Sequence, residues 1–127
     1  MPGPSTSPLY TALAFHRART NHDLDRAMTH VMRDIVCHTP MGPVNGAAEV
    51  RAFMASLSRL VARSELVAAF GDTRATVLIH HVDTIAGRAV PVAEYLVIDN
   101  GTITGMTIVV DRASFDSPGP AADLETR

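Results

Sequence analysis

The sequence predicts an α+β domain in which three N-terminal helices pack on a curved, mostly antiparallel sheet that forms a cone around one pocket. Three observations predict it. Apolar residues recur at helical spacing through the first half of the chain. From Glu65 onward they fall instead into short β-rich runs separated by turn residues. One separator is Asp99-Asn100-Gly101, and Asn-Gly between two such runs favours the positive φ values of a tight hairpin. Helices followed by antiparallel strands make a segregated α+β fold.

The elements follow in order. Residues 1–7 are rich in Pro, Gly and Ser and are expected to be disordered. Ser7 and Pro8 suit an N-cap and a first helical position, so a helix is expected through "LYTALAFHRART", ended by "NHD". A second helix is expected through "DLDRAMTHVM", where Leu24, Ala27, Met28 and Val31 share one face. "DIVCH" is short and β-prone, and "TPMGPVNG" reads as a loop. A third helix is expected from about Ala47 to Val61, with Val50, Phe53, Met54 and Leu57 on its apolar stripe. Strands are then expected over "ELVAAF", "RATVLIHHVDTI", "AVPVAEYLVI" and "TITGMTIVVD". The tail from Ser117 is polar and Pro-rich and is expected to be flexible, which leaves one domain over residues 8–116.

Composition narrows the function. The chain has 127 residues, 46% hydrophobic and 19% charged, which suits one globular domain with a core. Its net charge of −2 and the lack of a basic patch argue against a nucleic-acid partner. All 11 basic residues are arginine. A lone cysteine, Cys37, excludes an intrachain disulfide and a cysteine-built zinc site, and suits a reducing, cytoplasmic setting. It is expected in the core. "MPGPSTSP" does not read as a secretory signal, and no apolar run is long enough to span a membrane.

The candidate chemistry lies on the strands. Alternation puts Val77, Ile79, His81 and Asp83 on one face and Thr76, Leu78, His80 and Val82 on the other. Thr107, Val109 and Asp111 share a face of the last strand. If the apolar members face the helices, His81, Asp83 and Asp111 point into the cone and form a general acid–base set. The structural alternative leaves Asp83 at a strand end in solvent and makes Asp111 a turn cap or a partner of Arg112. His80 is expected at the surface or satisfied there, and His16, His22 and His30 are expected to be solvated. Of Glu94 and Tyr95, only one can face the pocket, and alternation leaves open which. No metal site is expected, because adjacent His80 and His81 point oppositely.

"DLDRAMTHVMRDIVCHTPMGPVNGAAEVRAFM" and "AEYLVIDNGTITGMTIVVDRASF" resemble the opening half and closing hairpin of the nuclear-transport-factor-2-like superfamily. That group includes ketosteroid isomerases, SnoaL-like polyketide cyclases and limonene-epoxide hydrolases, and its fold is the cystatin-like α+β barrel. The functional positions of the ketosteroid isomerases hold Phe15, Thr39 and Ala93 here, so that mechanism is not expected. The likeness to limonene-epoxide hydrolases is closer. Their Arg-x-Asp strand motif matches His81-Val82-Asp83, and their second aspartate matches Asp111. Their water-orienting Tyr and Asn match Val36 and His38.

The resemblance therefore implies a cofactor-free enzyme that opens an epoxide on a hydrophobic small molecule, by water or by an internal hydroxyl. Asp83, Asp111, His81 and His38 are its candidate catalytic residues. Phe15, Met28, Asp34, Thr39, Phe53, Tyr95 and Val109 are candidate substrate contacts. A SnoaL-like cyclase, isomerase or dehydratase is the alternative, with Asp34 and His81 as a candidate pair. A non-catalytic binding or dimerisation domain is a third reading. Homodimerisation through the outer sheet face is implied, with Leu96, Ile98, Ile108 and Val110 as candidate contacts.

Overall fold

The computed structural model of the chain describes residues 7–111. The expectations for residues 1–6, for the segment after Asp111 and for the tail lie outside that range. Three helices and six strands alternate as α1 (Pro8–Thr20), α2 (Leu24–Met28), β1 (Val31–Thr39), β2 (Gly42–Asn45), α3 (Ala47–Ser58), β3 (Val61–Gly71), β4 (Ala75–Thr84), β5 (Ala89–Asp99) and β6 (Thr102–Val109). The strands form one sheet in the order β2-β1-β6-β5-β4-β3. All neighbours are antiparallel except β1 and β6, which run parallel.

Helix α1 begins as expected. Ser7 Oγ accepts from Tyr10 N at 3.2 Å, and Pro8 occupies a position whose missing N–H costs nothing. The second helix is much shorter than its apolar spacing suggests. It stops at Met28, and Thr29 Oγ1 donates to Arg26 O at 2.6 Å. Ile103 N then donates to His30 O at 2.7 Å, and Val31 pairs with Ile103. Pairing with β6 thus draws Val31 and Met32 into a nine-residue strand, overriding a weak local helical preference. The expected loop after it contains a second strand, which pairs Val36–Thr39 with Gly42–Asn45. Helix α3 also ends early, at Ser58, because Val61 joins β3 opposite Thr84.

The hairpin between β5 and β6 matches its sequence signal. Asn100 and Gly101 have φ of 51° and 74°. Pro91 sits in a strand with neighbours on both sides, yet breaks no ladder. The pairing of β5 with β6 starts only at Ala93, so Pro91 needs no N–H on that edge.

The core lies between the concave sheet face and the helices. Phe15 and Ala12 of α1, with Val50 and Met54 of α3, meet Leu78, Leu96, Ile103 and Met106 of the sheet. This assigns the faces. Thr76, Leu78, His80, Val82 and Thr84 of β4 point inward, whereas His81 and Asp83 are exposed on the outer side. On β5 the inward row is Val90, Val92, Glu94, Leu96 and Ile98. The residues expected at a dimer face are therefore corrected. Leu96, Ile98 and Ile108 are buried in the core, and Val110 lines the internal cavity. The outer face carries other apolar residues in register: Phe70 beside Val77 beside Tyr95, and Ile79 beside Ala93 beside Val109.

Candidate functional site

The cone encloses a cavity of about 420 Å³ between the sheet, the end of α3 and the β1–β2 turn. Its walls are mostly apolar, with Phe53, Met54, Leu57, Val82, Val92 and Ile108 among them. Four polar side chains gather on the wall where α1 crosses the sheet: His16, Arg19, His80 and Glu94.

The backbone brings them together. His80 lies opposite Val92 on β5, so Glu94, two residues on, is its diagonal neighbour on the same face. His80 Nε2 lies 2.9 Å from Glu94 Oε1. Helix α1 contributes His16 and Arg19, three residues apart and hence on one side of the helix. Arg19 forks onto the carboxylate, with Nη1 donating to Oε2 at 2.6 Å and Nη2 to Oε1 at 2.5 Å. The same Nη2 lies 2.6 Å from His16 Nδ1. The guanidinium also stacks over the Phe15 ring at 4.9 Å. The two imidazole centroids are 5.1 Å apart.

Proton positions follow from these contacts. Arg19 can only donate, so His16 Nδ1 accepts and its neutral ring carries the proton on Nε2. A carboxylate can only accept, so His80 donates from Nε2. The Nδ1 of His80 is buried and has no partner among the described residues. Burial pushes the Glu94 carboxyl up, but the Arg19 charge and the hydrogen bonds from His80 and Arg19 outweigh it and hold it well below the usual carboxylate range. Burial and the Arg19 charge lower His16 from 6.5 to about 4, so it stays neutral near pH 7. Burial and the Glu94 charge raise the Cys37 thiol to about 11, which leaves it an inert core residue.

His16, His80 and Glu94 each offer a ligand atom, all within 4.8 Å of one another, as a divalent cation would need. Arg19 Nη2 already stands between two of these donors, on Glu94 Oε1 and His16 Nδ1. A guanidinium fills the position a metal would take, so the set fits an internal ion pair better than a metal centre.

The expected catalytic residues do not assemble. His81, Asp83 and His38 are exposed, and Asp111 is exposed just past the end of β6. Their strands offer apolar residues to both faces, and the helices cover the face opposite to the one expected. Glu94 is the only carboxylate among the described residues lining the cavity. Of the expected substrate contacts, Phe53 lines it. Phe15 is core and supports Arg19. Met28 packs beside the core. Thr39 closes the β1–β2 turn by donating to Gly42 O at 2.8 Å. Asp34, Tyr95 and Val109 are exposed. Glu94, not Tyr95, faces inward. His16 and His80, expected at the surface, are both only 7% exposed. One signal could have found them: Glu94 interrupts a row of Val90, Val92, Leu96 and Ile98, and a charge in so apolar a row demands a buried partner.

A family model for the SnoaL-like domain matches residues 12–106. The chain belongs to the SnoaL-like family. Among solved structures, this SnoaL-like chain is similar to a protein from Kribbella flavida DSM 17836, with 41% identity and a TM-score of 0.84 over 94% of this chain and 98% of that one. A candidate polyketide cyclase from Sinorhizobium meliloti shares the fold at 15% identity and a TM-score of 0.71, over 78% of this chain and 93% of that one. TerC, co-crystallised with polyporic acid, shares it at 16% identity and a TM-score of 0.68, over 84% and 92%. A comparison with curated proteins gives no match. The special likeness to limonene-epoxide hydrolases rested on His81, Asp83 and Asp111, none of which lines the cavity.

The site makes stability depend on pH in a defined direction. His16 titrates near 6.5 in the unfolded chain and near 4 in the fold, so the unfolded state takes up the proton first on acidification. Its contribution to stability is complete above pH 6.5 and is lost as pH falls to about 4. Glu94 has the same sign: its contribution holds above the ordinary carboxylate range and is lost below it. Urea unfolding across this window is expected to show stability falling with pH, and His16→Asn is expected to flatten the segment between 6.5 and 4.

Proposed function

We propose that this SnoaL-like domain is an acid–base enzyme that moves a proton next to a carbonyl of an apolar small molecule. Cyclases, isomerases and dehydratases of carbonyl compounds share that step. One observation carries it: His80, on the cavity wall, donates through Nε2 to a buried carboxylate, and its own buried Nδ1 has no partner among the described residues. An imidazole oriented in this way is a general base. The candidate polyketide cyclase among the structural neighbours favours the same class.

In the proposed reaction, a side-chain movement uncovers the buried Nδ1 of His80 to the cavity, a Cα–H bond of the substrate breaks and its proton passes to that nitrogen. The electron pair moves onto the carbonyl oxygen as an enolate. Glu94, kept ionised by Arg19, stabilises the imidazolium that forms. His16 remains neutral and donates a hydrogen bond from Nε2 to the enolate oxygen. Returning the proton to another carbon isomerises the substrate. Attack of the enolate on an internal carbonyl closes a ring, and His80 then protonates the alkoxide. Loss of a β-hydroxyl as water, with the proton supplied by His80, dehydrates it. Epoxide opening by two carboxylic acids finds less support, because Glu94 is the only carboxylate among the described residues lining the cavity and Arg19 keeps it ionised.

Deuterium exchange α to the carbonyl of a panel of apolar ketones tests this reading. Wild type is expected to catalyse exchange, and His80→Ala to lose about 10²–10⁴-fold of it. His81→Ala, on the outer face, is expected to retain it. Equal loss in both variants, or exchange by neither wild type nor variant, contradicts the reading.

The outer sheet face suits pairing of two copies of the chain. Phe70, Tyr95 and Val109 are 63%, 46% and 62% exposed there, and together they make an apolar strip on a face that none of the described helices covers. Sedimentation is expected to give a dimer for wild type and a monomer for Tyr95→Glu combined with Val109→Asp.

A further inference from the structure

Among the described residues, two that are not glycine have positive φ: Asn100, in the β5–β6 turn, and His22, at 61°. His22 follows the end of α1, where the backbone hydrogen bonds are complete. Asp23 N donates to Ala18 O at 2.9 Å, and His22 N donates to Arg19 O at 3.1 Å. This is the Schellman ending of a helix, and glycine is its usual left-handed residue, because a Cβ crowds the backbone there. Both bonds run through main-chain atoms, so the helix end gains nothing from an imidazole. The His22 ring has no hydrogen-bond or ion-pair partner among the described residues. It is exposed to solvent, and the residue also lines the main cavity. His22 therefore stands at the cavity mouth.

We propose that His22 is a substrate-binding residue that sets specificity at the mouth, and that the substrate is an apolar carbonyl compound with a hydroxyl at the end remote from the carbonyl. The place of the carbonyl rests on the acid–base reading above, whereas the mouth contact rests on His22 itself. Strain held at a residue that faces a ligand cavity marks the side chain, and not the turn, as what the position requires. His16, at the polar corner, lies six residues earlier in the chain. At 1.5 Å per residue, His22 stands roughly 9 Å farther along the axis of α1, on the same cavity. The lining is otherwise mostly apolar, so a ligand that fills it meets hydrogen-bonding groups at two separated points. A neutral imidazole offers one donor and one acceptor nitrogen, and a hydroxyl can pair with either.

The test uses two probes that differ in one group, 2-acetyl-6-hydroxynaphthalene and 2-acetylnaphthalene. Titration calorimetry on the full chain gives their dissociation constants, and thermal unfolding is followed on the same samples. Wild type is expected to bind the hydroxy ketone about 2–10-fold more tightly, the ratio that one hydrogen bond supplies. His22→Gly is expected to bind both probes equally and to unfold at the same temperature or higher, since glycine suits the left-handed position. Binding is read without turnover, so the two readings fail separately. Ketone exchange absent with the preference intact contradicts only the acid–base reading, and a preference absent with exchange intact contradicts only the mouth contact. Equal affinity of wild type for the two probes, binding of neither, a preference that survives in His22→Gly, or a lower unfolding temperature for that variant overturns the proposal.

Discussion

A single buried charge organises this molecule. Glu94 sits in the middle of a central strand, between Leu78 on one side and Ile108 on the other, and is 1% exposed. An isolated carboxylate there would cost several kcal/mol, and removing one partner of a buried pair costs about 3–5 kcal/mol. Arg19 supplies the matching charge from a different layer of the fold. The ion pair therefore ties α1 to the sheet at one register, and Phe15 beneath the guanidinium fixes its height. His16 and His80 take their proton positions from the same pair. The cavity wall has its chemistry because the ion pair has to be there.

The rest of the cone places that wall against apolar space. Pairing with β6 pulls Val31 out of a helix and into β1, so β1 and β2 extend the sheet on one side. The early end of α3 leaves room for β3 to curl over the other. The cavity lies between these two departures from local preference. Helix α3 covers it with Phe53, Met54 and Leu57, the stripe its spacing defines. An apolar chamber with one polar corner suits a hydrophobic molecule, and under the proposed function it confronts one part of that molecule with an oriented imidazole.

Much of the fold was legible in the sequence. Ser7–Pro8, the stripe of α3 and Asn100–Gly101 each act locally, so each predicts its element. The α2 boundary depends on β6, far along the chain, and β2 is a four-residue edge strand paired only with β1, too short for its Pro- and Gly-rich sequence to signal. The site was legible only to within a choice of face. β4 offers Val77 and Ile79 on one side and Leu78 and Val82 on the other, so alternation alone cannot assign the inside, and the wrong choice moves every polar residue. His80 and His81 exchange roles for that reason. β5 was the better guide. Its inward row is large and apolar apart from Glu94, whereas its outward row mixes Ala, Pro and Tyr. Reading β5 first, then its register with β4, leads to His80. Arg19 and His16 follow only from packing α1 over that point.

The central claim is that Glu94 orients His80 as a base with a bare Nδ1. Nitrogen-15 NMR of the histidine rings reads this directly, since protonated and bare imidazole nitrogens resonate far apart. In the neutral ring of His80, the account places the proton on Nε2 and none on Nδ1. A neutral His80 with its proton on Nδ1 and a bare Nε2 could not donate to Glu94, and that result would contradict the account.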